Sequence, residues 1–150
     1  MKITFLTTDD PIYLPAFFDH LLGKYGKETQ AVYSVPPLYK NQTALQAAIR
    51  YYRTFGLIGF FGLAVRIGMA KARRQSIASV CKQHAVLFEL VLDINAEKFR
   101  EHLREAGTDL IISVSCPQIF KKSLIELPRL GCLNIHGAIL PQYRGVLPSF

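Results

Sequence analysis

The stretch Asp109-Leu110-Ile111-Ile112-Ser113-Val114 indicates the fold class of this chain. Its continuous apolar run is typical of a parallel strand that helices cover on both faces. A helix is predicted just before this strand, capped by Asn95 and ended by Gly107. After it, helical turns over residues 118–126 lead to a further strand at 131–136. This central part of the chain therefore alternates helices with strands.

The alternation continues outward to the N-terminus. Residues 2–8 predict a buried strand, Asp9-Asp10-Pro11 a helix start, 31–35 a second strand and 85–90 a third. Strands that alternate with helices are joined by right-handed crossovers into a parallel sheet. The sequence therefore predicts a doubly wound, mostly parallel, Rossmann-like α/β domain over residues 1–150.

A helical insert is predicted at about 42–83, where proline is absent. Its centre, 55–65, is apolar all round, but eleven residues are too few to cross a bilayer, which takes about twenty. The first interpretation is a buried helix. The second is an interfacial segment that contacts a membrane surface through residues 50–74. The basic residues that favour this second interpretation are Arg50, Arg53, Arg66, Lys71, Arg73 and Arg74.

Composition narrows the class of protein. Half of the residues are hydrophobic and 19% are charged, which excludes a disordered chain. The net charge of +7 is compatible with anionic partners without identifying one. The three cysteines are widely spaced and form no C-x-x-C pair, so neither a metal site nor a disulfide framework is predicted. The N-terminal apolar run is too short for a signal peptide, which favours a cytoplasmic protein.

Asn134 and His136 are the candidate catalytic groups. They are two residues apart on the predicted strand at 131–136, so their side chains project from the same face. Ligands of open α/β sheets bind beyond the carboxyl ends of the strands, where these two residues lie. An amide and an imidazole can stabilise a developing oxyanion, and the imidazole can transfer a proton near neutral pH. The spacing alone leaves open that this histidine is a hydrogen-bonded structural residue.

A longer motif surrounds this pair. The run combines Asn-x-His, Leu-Pro, Arg-Gly and a later proline, and residues 127–132 precede it as Leu-Pro-Arg-Leu-Gly-Cys. It resembles the signature of the folate-dependent formyltransferases, the family of methionyl-tRNA formyltransferase and the sugar N-formyltransferases. The resemblance is tight over 107–150 and only topological over 1–35. The residues that carry it are Asn134, Ile135, His136, Leu140, Pro141, Tyr143, Arg144, Gly145 and Pro148.

The resemblance implies that 10-formyltetrahydrofolate donates a formyl group to a primary amine, in one-carbon metabolism and biosynthesis. Asn134 and His136 would stabilise the oxyanion, and a third group, an Asp, is expected beyond Phe150. The chain is therefore expected to be a partial catalytic domain, inactive alone. By the same resemblance the folate contacts fall on Ser113, Gln118, Ile119 and Phe120. The residues expected to contact the acceptor are Tyr143, Arg144 and Gly145.

The acceptor is expected to be a small amine, such as an amino sugar on a nucleotide or lipid carrier. Thr7-Thr8-Asp9-Asp10-Pro11 stands where methionyl-tRNA formyltransferases usually have Gly-Thr-Pro, and the insert at 42–83 replaces their Gly- and Arg-rich loop. A location peripheral to the inner membrane face would suit a lipid-linked acceptor. Methionyl-tRNA is the alternative acceptor, a non-catalytic folate-binding remnant is the alternative of another class, and a homo-oligomer is left open.

Overall fold

A computed structural model describes residues 1–36, 44–73 and 76–136 of the chain. Within these ranges, parallel strands form one sheet in the order β3-β2-β1-β4-β5. The strands are β1 (Ile3–Thr8), β2 (Thr29–Val35), β3 (Leu87–Leu90), β4 (Leu110–Val114) and β5 (Cys132–Ile135). The helices are α1 (Leu14–Tyr25), α2 (Ala44–Arg73), α3 (Ile77–Gln83), α4 (Glu97–Glu105) and α5 (Lys122–Ile125).

The strand order confirms the predicted doubly wound fold. From β1 the chain builds the sheet in one direction through β2 and β3, and then returns to add β4 and β5 on the other side. The direction therefore reverses between β1 and β4. Crevices beyond the carboxyl ends of the strands near such a reversal are the usual ligand sites of this fold.

Two hydrophobic cores cover the two faces of the sheet. On one face, α1 and α3 pack on β1 and β2, and the Phe5 and Phe18 rings meet edge to face at 5.8 Å. On the other face, α4 and α5 supply Leu103 and Leu124 to the core around Ile111. Burial on both faces explains why β4 reads as an apolar run from Leu110 to Val114.

Two predicted helix starts are wrong in detail. Asp10 accepts hydrogen bonds from the backbone N–H groups of Ile12 (2.7 Å) and Tyr13 (3.1 Å), but these residues form a turn and α1 begins at Leu14. Asn95 was expected to cap α4, yet the residue at the cap position is Ala96, which makes no side-chain capping bond. The Asn95 side chain is used in another way, at the edge of the candidate site.

The predicted insert contains two helices with different surroundings. α3 is part of the core, since Ile77, Val80 and Cys81 are buried. α2 is interrupted at Gly56, whose φ of 67° leaves the helical region. The described apolar side chains of its second half are largely exposed, so the interpretation as a buried helix is wrong for them. In the part of the chain that the structure describes, no helix has the length and apolar character that spanning a membrane requires.

Candidate active site

Asn134 lies on β5 at the carboxyl end of the sheet. It is paired in register with Ser113 of β4, which in turn pairs with Leu6 of β1. Because side chains alternate along a strand, Asn134 shares a face with Cys132, which packs against the core beneath α5. The Asn134 side chain is exposed and makes no hydrogen bond with another described residue. Its amide is therefore available to a ligand on this side.

A cavity of about 330 Å³ opens beside Asn134. This volume lies at the lower end of the range of small-molecule sites, about 300–1,000 Å³. Ser113 and Asn134 are among its polar residues, and Phe120 is among its apolar residues. The described residues that line it are Ser113, Cys116, Gln118, Phe120, Ile125, Cys132, Leu133 and Asn134.

The sequence-predicted site residues are only partly brought together. Ser113, Gln118, Phe120 and Asn134 line the same cavity, whereas Ile119 is 86% exposed and does not. Phe120 also packs against the core beneath α4, so the cavity and the core share it.

His136 follows β5, is partly buried, and is not among the described residues that line the cavity. The expected acceptor residues Tyr143, Arg144 and Gly145 lie outside the described part of the chain.

Gln118 fastens two loops together. Its Oε1 accepts from the backbone N–H of Ile94 at 3.0 Å, and its Nε2 donates to the carbonyl of Leu92 at 2.6 Å. Asn95 also joins these loops. Its Nδ2 donates to the carbonyl of Ile119 at 3.0 Å, and its Oδ1 accepts from the backbone N–H of Lys121 at 2.8 Å. These bonds, the Asn95–Gln118 lock, hold residues 92–95 against residues 118–121.

The lock changes the roles expected from the sequence. The Gln118 amide is occupied by backbone partners, so its contribution to the cavity is to hold the wall rather than to offer a free polar group. Asn95 has a site-building role that its pattern as a helix cap concealed. An asparagine side chain can cap a helix or form hydrogen bonds with the backbone of another loop, and the sequence alone does not distinguish these two roles.

The chain turns sharply where β4 ends. Ser115 has a φ of 54°, in the left-handed region that favours glycine. This conformation costs a serine about 1–2 kcal/mol. It leads the chain out of β4 into the loop that carries Cys116, Gln118 and Phe120 to the cavity.

The cysteines beside the cavity behave as wall groups. Burial raises the pKa of the Cys116 thiol, and a hydrogen bond with the Gln118 backbone offsets only part of that increase. Burial also raises the pKa of Cys132 to about 11. Because the thiolate is the reactive form, both side chains are poor nucleophiles at neutral pH.

Within residues 1–36, 44–73 and 76–136, no group of three or more His, Cys, Asp or Glu side chains lies close enough together to bind a metal ion.

Comparison with known proteins gives a consistent family. A protein-family model described as Formyl transferase matches residues 65–149, which is more than half of the chain. The methionyl-tRNA formyltransferase of Ruminiclostridium cellulolyticum is 38% identical over 66 residues, covering 44% of this chain and 21% of that protein. The one from Agathobacter rectalis is 48% identical over 48 residues, covering 32% of this chain and 16% of its own length. The matches thus span about a fifth of these relatives.

Solved structures share the fold. The phosphoribosylglycinamide formyltransferase of Streptococcus pneumoniae TIGR4 aligns with a TM-score of 0.52 at 16% identity, covering 98% of this chain and 62% of that one. Glycinamide ribonucleotide transformylase 1 of Symbiobacterium toebii aligns with a TM-score of 0.54 at 12% identity, covering 99% and 57%. At such identities the likeness concerns the fold alone.

Proposed function

The chain belongs to the formyl transferase family, and from this premise we propose that the intact protein transfers a formyl group from 10-formyltetrahydrofolate to a primary amine. The observation that carries the proposal is the position of Asn134, which lines a cavity together with residues of the loop after β4. A hydrogen-bond donor beside a small-molecule cavity is what formyl transfer requires.

In the proposed reaction the acceptor nitrogen attacks the formyl carbon. A C–N bond forms, negative charge develops on the formyl oxygen, and the Asn134 amide donates a hydrogen bond to it. Collapse of the tetrahedral intermediate breaks the bond between the formyl carbon and N10 of the folate. The proton lost by the amine passes to N10, and His136 is the proposed relay. Loss of one oxyanion donor typically costs about 3–4 kcal/mol of barrier.

The donor is proposed to occupy the cavity with its pterin ring. Phe120 and Ile125 supply apolar contact, and the Ser113 hydroxyl and nearby backbone groups supply polar partners. Ile119 is proposed to act only through its carbonyl, which accepts from Asn95 and holds the cavity wall, because its side chain is turned to solvent. Tyr143, Arg144 and Gly145 remain the proposed acceptor loop, as the family motif implies.

The names of the relatives favour methionyl-tRNA as the acceptor over the amino sugar expected from the sequence. A small or lipid-linked amine stays a second candidate because of α2, whose exposed apolar residues lie between β2 and α3. A cytoplasmic location is part of the same proposal. It is supported by the three free thiols of Cys81, Cys116 and Cys132, which suit a reducing compartment.

The test is an assay of the intact protein with 10-formyltetrahydrofolate and, separately, methionyl-tRNA and a panel of amino-sugar nucleotides. Formation of tetrahydrofolate with one acceptor class identifies the substrate. His136→Ala should lower turnover at least about a hundredfold with little change in donor affinity. His20→Ala, which removes an exposed histidine of α1, is the matched control and should keep full activity. Donor binding without turnover on any acceptor would instead identify a non-catalytic folate-binding protein.

A further inference from the structure

The second half of α2 presents large apolar side chains to solvent. Gly56 separates it from the first half, so residues 57–73 form a helical segment of their own. Apolar patches of this kind on a protein surface commonly mark an interaction site. The side chains concerned are between 49% and 91% exposed, and they are Leu57, Ile58, Phe61, Val65 and Met69.

These side chains lie on one side of the helix. Leu57, Phe61, Val65 and Met69 are spaced by four residues, so each is rotated from the last by only about 40°. Ile58 falls inside the arc that they define, which is about 120° wide. Along the axis the arc extends about 18 Å. The result is a continuous apolar strip, here called the α2 strip, rather than a scatter of single residues.

The charge of α2 indicates what the strip contacts. Residues 44–73 contain five Arg or Lys residues and no Asp or Glu, and the Arg53 side chain is exposed. A second copy of the chain would bring the same positive charge against the first, without an acidic partner in either helix. A lipid bilayer with anionic headgroups offers apolar contact to the α2 strip and negative charge to the basic residues of the helix.

We infer that the α2 strip binds the surface of an anionic phospholipid bilayer, with the helix axis in the plane of the interface. Leu57, Ile58 and Phe61 enter the boundary between headgroups and acyl chains, while the net positive charge of α2 attracts the anionic lipids. The segment lies on the bilayer and does not cross it. This surface goes beyond the proposed formyl transfer and does not depend on it.

The test is co-sedimentation of the intact protein with vesicles, without donor or acceptor present. Vesicles of phosphatidylcholine with about 30% phosphatidylglycerol are compared with vesicles of phosphatidylcholine alone. Binding should be strong only with the anionic lipid, and should weaken between about 0.1 and 0.5 M salt as the charges are screened. Absence of binding to anionic vesicles, or equal binding to both kinds, would overturn the inference.

Variants separate the strip from general stickiness. The double substitution Ile58→Gln and Phe61→Gln should lower the partition coefficient at least about tenfold. The matched control, Leu90→Gln and Leu130→Gln, replaces two exposed leucines elsewhere and should bind as the wild type does. Equal binding by both double variants would show that the strip is not the contact. Charge is tested separately by reversing Arg50, Arg53, Lys71, Arg73 and Arg74 to Glu, which should abolish binding.

Two further measurements distinguish membrane binding from dimer formation and from the proposed formyl transfer. Light scattering should show no dimer that dissociates when Ile58→Gln and Phe61→Gln are introduced. Such a dimer would show that the strip binds a second copy of the chain. Formyl transfer to a water-soluble acceptor should be unchanged in this variant. If transfer is absent in the wild type while vesicle binding persists, the proposed function fails and the membrane contact stands.

Discussion

Gln118→Ala removes the two hydrogen bonds through which the Gln118 side chain joins residues 92–95 to the loop after β4. The Ile94 backbone N–H, which donates to Gln118 at 3.0 Å, lies beside a side chain that is fully buried. Leaving such a donor without a partner costs about 1–3 kcal/mol. The Leu92 carbonyl belongs to an exposed residue and can turn to water, so losing that bond costs only about 0.5–1 kcal/mol.

The expected loss is therefore about 1.5–4 kcal/mol in the free energy of unfolding. For a chain of this size it corresponds to a fall of roughly 3–16 °C in Tm. Denaturant and thermal unfolding of the intact protein measure both quantities. Gln83→Ala, at an exposed glutamine near the end of α3, is the matched control and should change stability by less than about 0.5 kcal/mol.

Asn95→Ala tests whether the two amides act as one lock. Both side chains hold the same pair of loops, so once one is lost the other restrains less. The double variant with Gln118→Ala should then cost less than the sum of the two single changes, by more than about 0.5 kcal/mol. The donor KM should rise in all three variants while kcat changes little. Additive losses with an unaltered donor KM would refute the idea that the lock shapes the cavity.

Three further outcomes are expected. The backbone N–H of Lys2, which donates to Asp109 at 2.9 Å, holds the pKa of that carboxyl below its usual range. The ionised Asp109 carboxyl therefore stabilises the fold above the unfolded-state pKa near 4, and this contribution is lost as pH falls through the lower folded-state pKa. Asp109→Asn should then make Tm fall less steeply between about pH 5 and 3. An unchanged profile of Tm against pH would contradict this. Cys132, whose pKa is raised to about 11, should react with iodoacetamide at pH 8 about a hundredfold more slowly than an unperturbed thiol. Peptide mapping measures this rate, and ordinary reactivity would contradict the burial of the thiol. Ser115→Gly relieves a φ of 54° and should stabilise the protein by about 0.5–1 kcal/mol in chemical denaturation, whereas a loss of stability would show that the turn is not strained.

The strands and the site edge were predictable because their signals are local. The apolar run at 110–114 specifies a strand covered on both faces, and Asn134 was predicted on the next strand along the chain. The register that places Asn134 opposite Ser113 comes from the structure. Gln118 and Phe120, which also line the cavity, were expected there from the resemblance to the formyltransferases and not from the strand pattern. Parallel strands end at one edge, so polar residues just after them converge whatever the rest of the sequence is.

Loop side chains and α2 were less predictable, for physical reasons. Ile119 was expected at the folate ring from the resemblance, but no fixed alternation holds in a loop, and its side chain points to solvent. Asn95 was assigned to a helix cap because the amide that can cap a helix can equally bridge to a distant backbone. In α2 the apolar residues surround the helix, so the pattern does not say which side faces the protein.

The position of α2 in the chain has an evolutionary consequence. Every described residue that lines the cavity falls between Ser113 and Asn134, while α2 occupies a separate stretch between β2 and α3. Substitutions in α2 can therefore accumulate without altering the residues that line the cavity. The whole segment can also be exchanged during descent while those residues are inherited unchanged.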